Sequence, residues 1–153
     1  MQSSGRAGRA EKAGEVVIQT YNPEEYSIQA VAGQDAEYFY ENELAFRRLM
    51  KYPPYSQMAA ILILSEEENE AKTLSEKLAE NIHSVCGDAV TLIGPSKAGL
   101  SRAKDRYRYV LYVKSMDEEA MACVRKIAEE ANRRVVNQKT CSVQYDRDPV
   151  NGY

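Results

Sequence analysis

Apolar and polar positions recur along this chain with more than one period, and each change of period marks an element. Residues 58–64 (MAAILIL) form a short, unbroken apolar run, the pattern of a central strand. Ala71, Leu74, Leu78, Ile82 and Val85 then recur at helical spacing, with Ser65-x-x-Glu68 ahead of them as a capping box and Gly87 as the stop. A second strand is predicted over 89–93, a loop over 94–105 and a third strand over 106–114 (RYRYVLYVK). Alternation along that third strand places Tyr107, Tyr109, Leu111 and Val113 on one face and Arg106, Arg108, Val110, Tyr112 and Lys114 on the other. Ser115-x-x-Glu118 caps a second helix carrying Ala120, Val124, Ile127, Ala128 and Ala131, and 140–145 reads as the last strand.

The order β-α-β-β-α-β predicts an α+β domain of the split βαβ, ferredoxin-like kind. Two helices then cover one face of a four-stranded antiparallel sheet, and the other face stays open or meets a partner. Upstream the pattern is looser. Residues 15–21 (EVVIQTY) are β-branched and apolar enough for a buried strand, which Asn22-Pro23 ends. Helices are predicted over about 23–32 and, after Gly33, over 35–51, where Phe39, Leu44, Phe46 and Leu49 are available for packing. Tyr52-Pro53-Pro54-Tyr55 terminates the second, because proline cannot donate a backbone hydrogen bond and restricts its predecessor. The first 13 residues are small, polar and basic, and Gly5 and Gly8 weaken any helix, so partial disorder is expected there in isolation.

A length of 153 residues supports one ordinary domain and a short appendage. Twenty Lys and Arg against 23 Asp and Glu leave a net charge of −3, which gives no global attraction to nucleic acid; any such contact must come from a local cluster. One exists. Lys97, Arg102, Lys104, Arg106 and Arg108 are interrupted by a single acid, Asp105, and interleaved with Tyr107, Tyr109 and Tyr112. Arg106, Arg108, Lys114 and Tyr112 on an open strand face, with Lys97, Arg102 and Lys104 on the preceding loop, could hold phosphates and stack one base. The other reading of the same residues is solvated arginines paired with helix carboxylates and tyrosines used for packing. Cys86, Cys123 and Cys141 lie far apart without a C-x-x-C pair, which argues against a zinc site or disulfide framework and fits a reducing cytoplasm. No apolar run approaches the roughly 20 residues that span a bilayer, and no hydrophobic signal region follows Arg6, Arg9 and Glu11, so a soluble, non-exported, cytoplasmic protein is expected.

Catalytic patterns are sparse. Arg6 and Arg9, three apart on a glycine-opened turn, can reach the phosphates of a nucleotide held by another domain, although a flexible basic tail explains the same residues. There is no G-x-x-x-x-G-K-[ST] loop and no metal-binding carboxylate segment, so the chain alone is not expected to hydrolyse ATP by that route. His83 has no adjacent nucleophile, Ser56, Cys86 and Cys123 have no catalytic setting, and the acids of 66–70 and 117–119 fall in first helical turns, where the dipole favours them. An independent small-molecule enzyme of ferredoxin-like fold would need convergent polar groups that the sequence does not show. No catalytic or metal-ligating residue is assigned.

Taken together, these segments resemble the C-terminal region of PriA-type replication-restart DNA helicases, the primosomal protein N' family, over essentially the whole chain. Gln2-Ser3-Ser4-Gly5-Arg6-Ala7-Gly8-Arg9 is similar to motif VI of superfamily 2 helicases, and Gly14-Glu15-Val16-Val17-Ile18-Gln19-Thr20-Tyr21-Asn22-Pro23 to the strand closing the second motor lobe. Tyr52-Pro53-Pro54-Tyr55, Gly94-Pro95, Arg106-Tyr107-Arg108-Tyr109 and Asp146-x-Asp148-Pro149 follow in the family's order. The resemblance implies a division into 1–22 (remnant of lobe 2), 23–55 (helical connector) and 56–153 (an S10-like α+β domain associated with DNA binding). It also implies that the longer protein is an ATP-driven three-prime to five-prime helicase using ATP, magnesium and an upstream zinc region, with forked or single-stranded DNA, single-stranded-DNA-binding protein and primosome proteins as partners. Arg6 and Arg9 would then be its γ-phosphate sensor and arginine finger, and the Arg102 to Arg108 cluster its DNA contact. The alternative is a protein-interaction module whose sheet face docks on the motor lobes. Two departures stand out: Lys97 and Gly99 replace prolines common in the family, and Glu118 and Ala122 stand where some members carry an arginine and a glutamine that hold the tail of single-stranded-DNA-binding protein.

Overall fold

The computed structural model describes residues 16–103, 105–136 and 140–149, with the backbone alone for 100–103. It contains two compact units, Met1–Leu49 and Met50–Tyr153.

In the first unit, α1 (Tyr26–Ala32) and α2 (Ala36–Leu49) are joined through side chains. The Tyr26 hydroxyl donates to the Glu43 carboxylate, which also accepts Arg47 Nε at 2.6 Å, and the Tyr26 ring stacks on Phe39 with centroids 6.0 Å apart. The strand expected over 15–21 is not found across 16–21: these residues are irregular, and Val16, Val17 and Ile18 are exposed. A β-branched run becomes a strand only by pairing with a neighbour, and none is present among the described residues.

The second unit has the predicted order, with β1 (Gln57–Ser65), α3 (Glu68–Cys86), a short 3₁₀ turn (Gly87–Ala89), β2 (Thr91–Ala103), β3 (Arg106–Ser115), α4 (Glu118–Val135) and β4 (Cys141–Arg147). All pairs are antiparallel in the sheet order β2-β3-β1-β4, the ferredoxin-like arrangement. The unbroken apolar run of β1 is explained by its position, flanked by a strand on either side and covered on both faces: Ala59, Ile61 and Ile63 point into the core under the helices, Ala60 and Leu62 into a second cluster on the far face. Ala71, Leu78 and Ile82 of α3 and Ala120, Met121, Val124 and Ala128 of α4 close the main core over Tyr109, Leu111 and Val113.

Three local expectations change. Residues 94–103, predicted as loop, continue β2, with register irregularities between Ile93 and Ser96 and between Lys97 and Arg102. Gly94 sits in the first of these at φ +100°, where a Cβ would meet the Val110 carbonyl oxygen at 3.0 Å. Ser65 and Ser115 are not N-caps but the last residues of β1 and β3. Each hydroxyl accepts the N–H two residues on, and the true cap of α4 is Asp117, whose carboxylate accepts from Glu119 and Ala120. Val85, expected in the buried stripe, is 58% exposed, and its neighbour Cys86 packs on the core instead.

Candidate nucleic-acid interface

Strand β3 divides its side chains as alternation requires. Tyr107, Tyr109, Leu111 and Val113 lie under the helices, and Arg106, Arg108, Val110, Tyr112 and Lys114 face the other way. On that second face, β1 places Leu64 opposite Arg108, Leu62 opposite Val110 and Ala60 opposite Tyr112. β4 adds Ser142, Gln144 and Asp146 alongside the same three β1 residues.

This face is not open throughout. Ala60, Leu62, Val110 and Ala98 are buried there as a small cluster, with Leu64 and Tyr112 packed against it. Ala98 reaches it through the irregularity in β2: pairing passes from Lys97 with Tyr109 to Arg102 with Tyr107, so residues 98–101 stand against Arg108 alone. Ala98, the first of these surplus residues, seals the centre of the face.

The predicted cations consequently separate. Arg106, Arg108 and Tyr112 share the second face and are half-buried. Arg106 and Arg108 are two positions apart, a rise of roughly 7 Å along the strand. Two planar guanidinium groups so spaced, with a tyrosine ring further along, can hold phosphate oxygens bidentately and offer one stacking surface. Lys114 lies on the same face, but its Nζ donates to the Met50 carbonyl at 3.2 Å and stands 4.2 Å over the Tyr52 ring, tying the Tyr52-Pro53-Pro54-Tyr55 segment to β3. Lys97 does not join them. It pairs across the ladder with Tyr109, on the helix-covered side, and its Nζ lies 2.5 Å from Glu68 Oε1. The hydrogen bond and charge of Glu68 hold its pKa above the usual lysine value. Arg102 is placed by its backbone opposite Tyr107, while Lys104, Arg6 and Arg9 lie outside the described residues.

Sequence reasoning missed the polar contribution of β4 to this face, although the alternation of Ser142, Gln144 and Asp146 carries the signal. It also missed the Lys114–Tyr52 contact, which joins residues 62 positions apart. Elsewhere, a groove of about 440 Å³ runs between α4 and the edge strand β4, with Glu118, Ala122, Arg125, Tyr145 and Arg147 among its lining residues. Both positions at which the chain departs from an arginine and a glutamine line it. Among the described residues no group of three His, Cys, Asp or Glu could hold a metal ion, and no helix is long and apolar enough to cross a membrane.

Residues 48–150 match the family model described as primosomal protein N C-terminal domain. Replication restart protein PriA of Bacillus subtilis is 40% identical over 148 residues, covering 97% of this chain and 18% of that protein. The namesake from Synechocystis is 37% identical over 113 residues, covering 74% of this chain and 14% of that protein. The chain thus spans less than a fifth of the length of these two relatives. Among solved structures, a de novo designed protein with ferredoxin fold matches 63% of this chain and 88% of its own at 15% identity and a TM-score of 0.44.

Proposed function

The chain belongs to the primosomal protein N C-terminal domain family, and from that membership we propose that it is the C-terminal part of an ATP-dependent replication-restart DNA helicase, whose second sheet face holds single-stranded or forked DNA. The observation that carries the reading is the convergence of Arg106, Arg108 and Tyr112 on one face of β3, with the polar row of β4 on the same face across the apolar row of β1. Phosphate contacts from the arginines would position the strand without reading its sequence, and the tyrosine would accept a base of any identity.

In this reading residues 1–22 are a remnant of the second motor lobe, with Arg6 and Arg9 sensing the γ-phosphate, 23–55 are a connector and 56–153 are the DNA-holding domain. ATP and magnesium belong to the motor and zinc to a region upstream. Single-stranded-DNA-binding protein and primosome proteins are partners of the longer, cytoplasmic protein rather than of this face. A second reading is favoured by the internal engagement of Lys97 with Glu68 and of Lys114 with Met50 and Tyr52: the domain is a docking module, and its cations hold its own elements together.

Titration of the isotope-labelled chain with a short oligothymidylate, followed by amide chemical shifts, separates the two. DNA holding predicts shifts concentrated at Arg106, Arg108, Tyr112 and Gln144, with α3 and α4 unmoved. A folded chain whose β3 amides do not move at low salt would leave the docking reading in place.

A further inference from the structure

Helices α3 and α4 lie antiparallel on the same side of the sheet. Asn69, Glu70 and Thr73 at the start of α3 line one cavity with Val135 at the end of α4. At the opposite end the Ser115 hydroxyl, just before α4, donates to the Ala89 carbonyl, just after α3, at 2.6 Å. Two cysteines meet at that pinned end. Cys86 is the last residue of α3 and packs on the main core; Cys123 is in the second turn of α4, next to the fully buried Val124. The Cys123 side chain interacts with the Cys86 thiol, both are half-buried, and neither is in a disulfide. A span of 36 intervening residues conceals the pair in the sequence.

We infer that Cys86 and Cys123 form a dithiol site that closes to an intramolecular disulfide by exchange with a small disulfide of the glutathione class, clamping α3 to α4. Cysteines at the same end of two packed antiparallel helices, with the Ser115–Ala89 hydrogen bond holding that end together, have a short way to close to a sulfur–sulfur bond of about 2.05 Å. The Cys123 thiolate attacks one sulfur of the oxidant, forming a mixed disulfide and releasing the first small thiolate. Cys86 then gives up its proton, attacks the Cys123 sulfur and expels the second. Two protein thiols are oxidised, one small disulfide is reduced to two thiols, and the two protons leave on those products. The order follows from Cys86, which burial, together with the hydrogen bond and charge of Cys123, pushes up to about 11, making it the poorer first nucleophile. Cys141 is buried under the sheet corner, where desolvation raises its pKa, and takes no part. Such reversible closure is the usual form of disulfide chemistry in a reducing compartment.

The test incubates the full chain with oxidised glutathione, quenches with acid, and maps thiols by peptide mass spectrometry. The expected result is loss of two thiols, a Cys86–Cys123 cross-linked peptide, an unmodified Cys141, and an unfolding midpoint raised by roughly 10 °C. In C86S the glutathione adduct should persist on Cys123, because the resolving sulfur is gone. The unmodified chain decides the matter even where C86S does not fold. Four results would each overturn the inference: stable glutathione adducts without ring closure, bridges to Cys141 or between chains, no reaction under conditions that oxidise the urea-unfolded chain, or a closed bridge that leaves the midpoint unchanged or lower.

Discussion

Lys97 and Glu68 meet on the helix-covered side of the sheet, Nζ to Oε1 at 2.5 Å, whereas Arg108, one residue before Lys97's ladder partner Tyr109, faces the opposite side. Cations of one sequence cluster therefore belong to different surfaces. Lys97→Ala should leave affinity for single-stranded DNA within about twofold, and Arg108→Ala should lower it several-fold, the scale of one lost phosphate contact. Fluorescence anisotropy at low salt checks both. Equal losses in the two variants would mean that the ligand wraps the edge of β2.

The burial of Leu62 beneath Ala98 gives a stability test of the sealed centre of the second face. Leu62→Ala should cost about 2–4 kcal/mol in urea unfolding, the range for a buried leucine. An exposed sheet face at this position would give a cost below about 1 kcal/mol.

Asn132 and Val143 supply a second measurable contact. The Val143 N–H donates to Asn132 Oδ1 at 3.0 Å, so α4 satisfies a backbone donor of the edge strand. Asn132→Ala should destabilise by about 1–3 kcal/mol, because it leaves that buried donor unpaired. Asn132→Asp, which keeps an acceptor, should lose much less in the same denaturant assay.

The Tyr26–Glu43–Arg47 network sets a pH window for the first unit. Hydrogen bonds from Tyr26 and Arg47 lower the Glu43 pKa, and the hydrogen bond to Glu43 raises that of Tyr26. A lowered carboxylate contributes stability above its unfolded pKa and loses it as pH falls through the folded value. A raised tyrosine contributes below its unfolded pKa and loses that as pH rises through its folded value. The α1–α2 contact should therefore be firmest between the ordinary carboxylate and tyrosine ranges and loosen at both extremes. Chemical shifts of α2 amides against pH would show it, and Tyr26→Phe should remove the alkaline limb and weaken the acid one.

Much of the fold was legible because burial and chain periodicity agree where elements are packed on one side. The alternating RYRYVLYVK of β3 assigned every residue to the face it occupies, and the stripe Ala71, Leu78, Ile82 located α3. β2 was cut short because its glycine, proline and serine content reads as loop, whereas ladder pairing to a regular β3 holds even an irregular partner. The same error misplaced Lys97, whose face depends on a register that sequence does not contain. Helix starts slipped by two residues at Asp117 because serines ending a strand and serines capping a helix look alike before the strand's length is known. The expected strand is not found across 16–21 for the converse reason, since propensity was present without a partner among the described residues. The Cys86–Cys123 contact had no local signal at all.

The central claim, that the Arg106–Arg108–Tyr112 face holds DNA, is tested most directly by the salt dependence of single-stranded DNA binding to the full chain and to its Arg106→Ala, Arg108→Ala double variant. The account predicts binding that weakens with salt, and a slope of log affinity against log salt that is shallower in the variant by about 1.4, two phosphate contacts at about 0.7 each. A folded variant that binds with the same affinity and the same slope as the unmodified chain would contradict it.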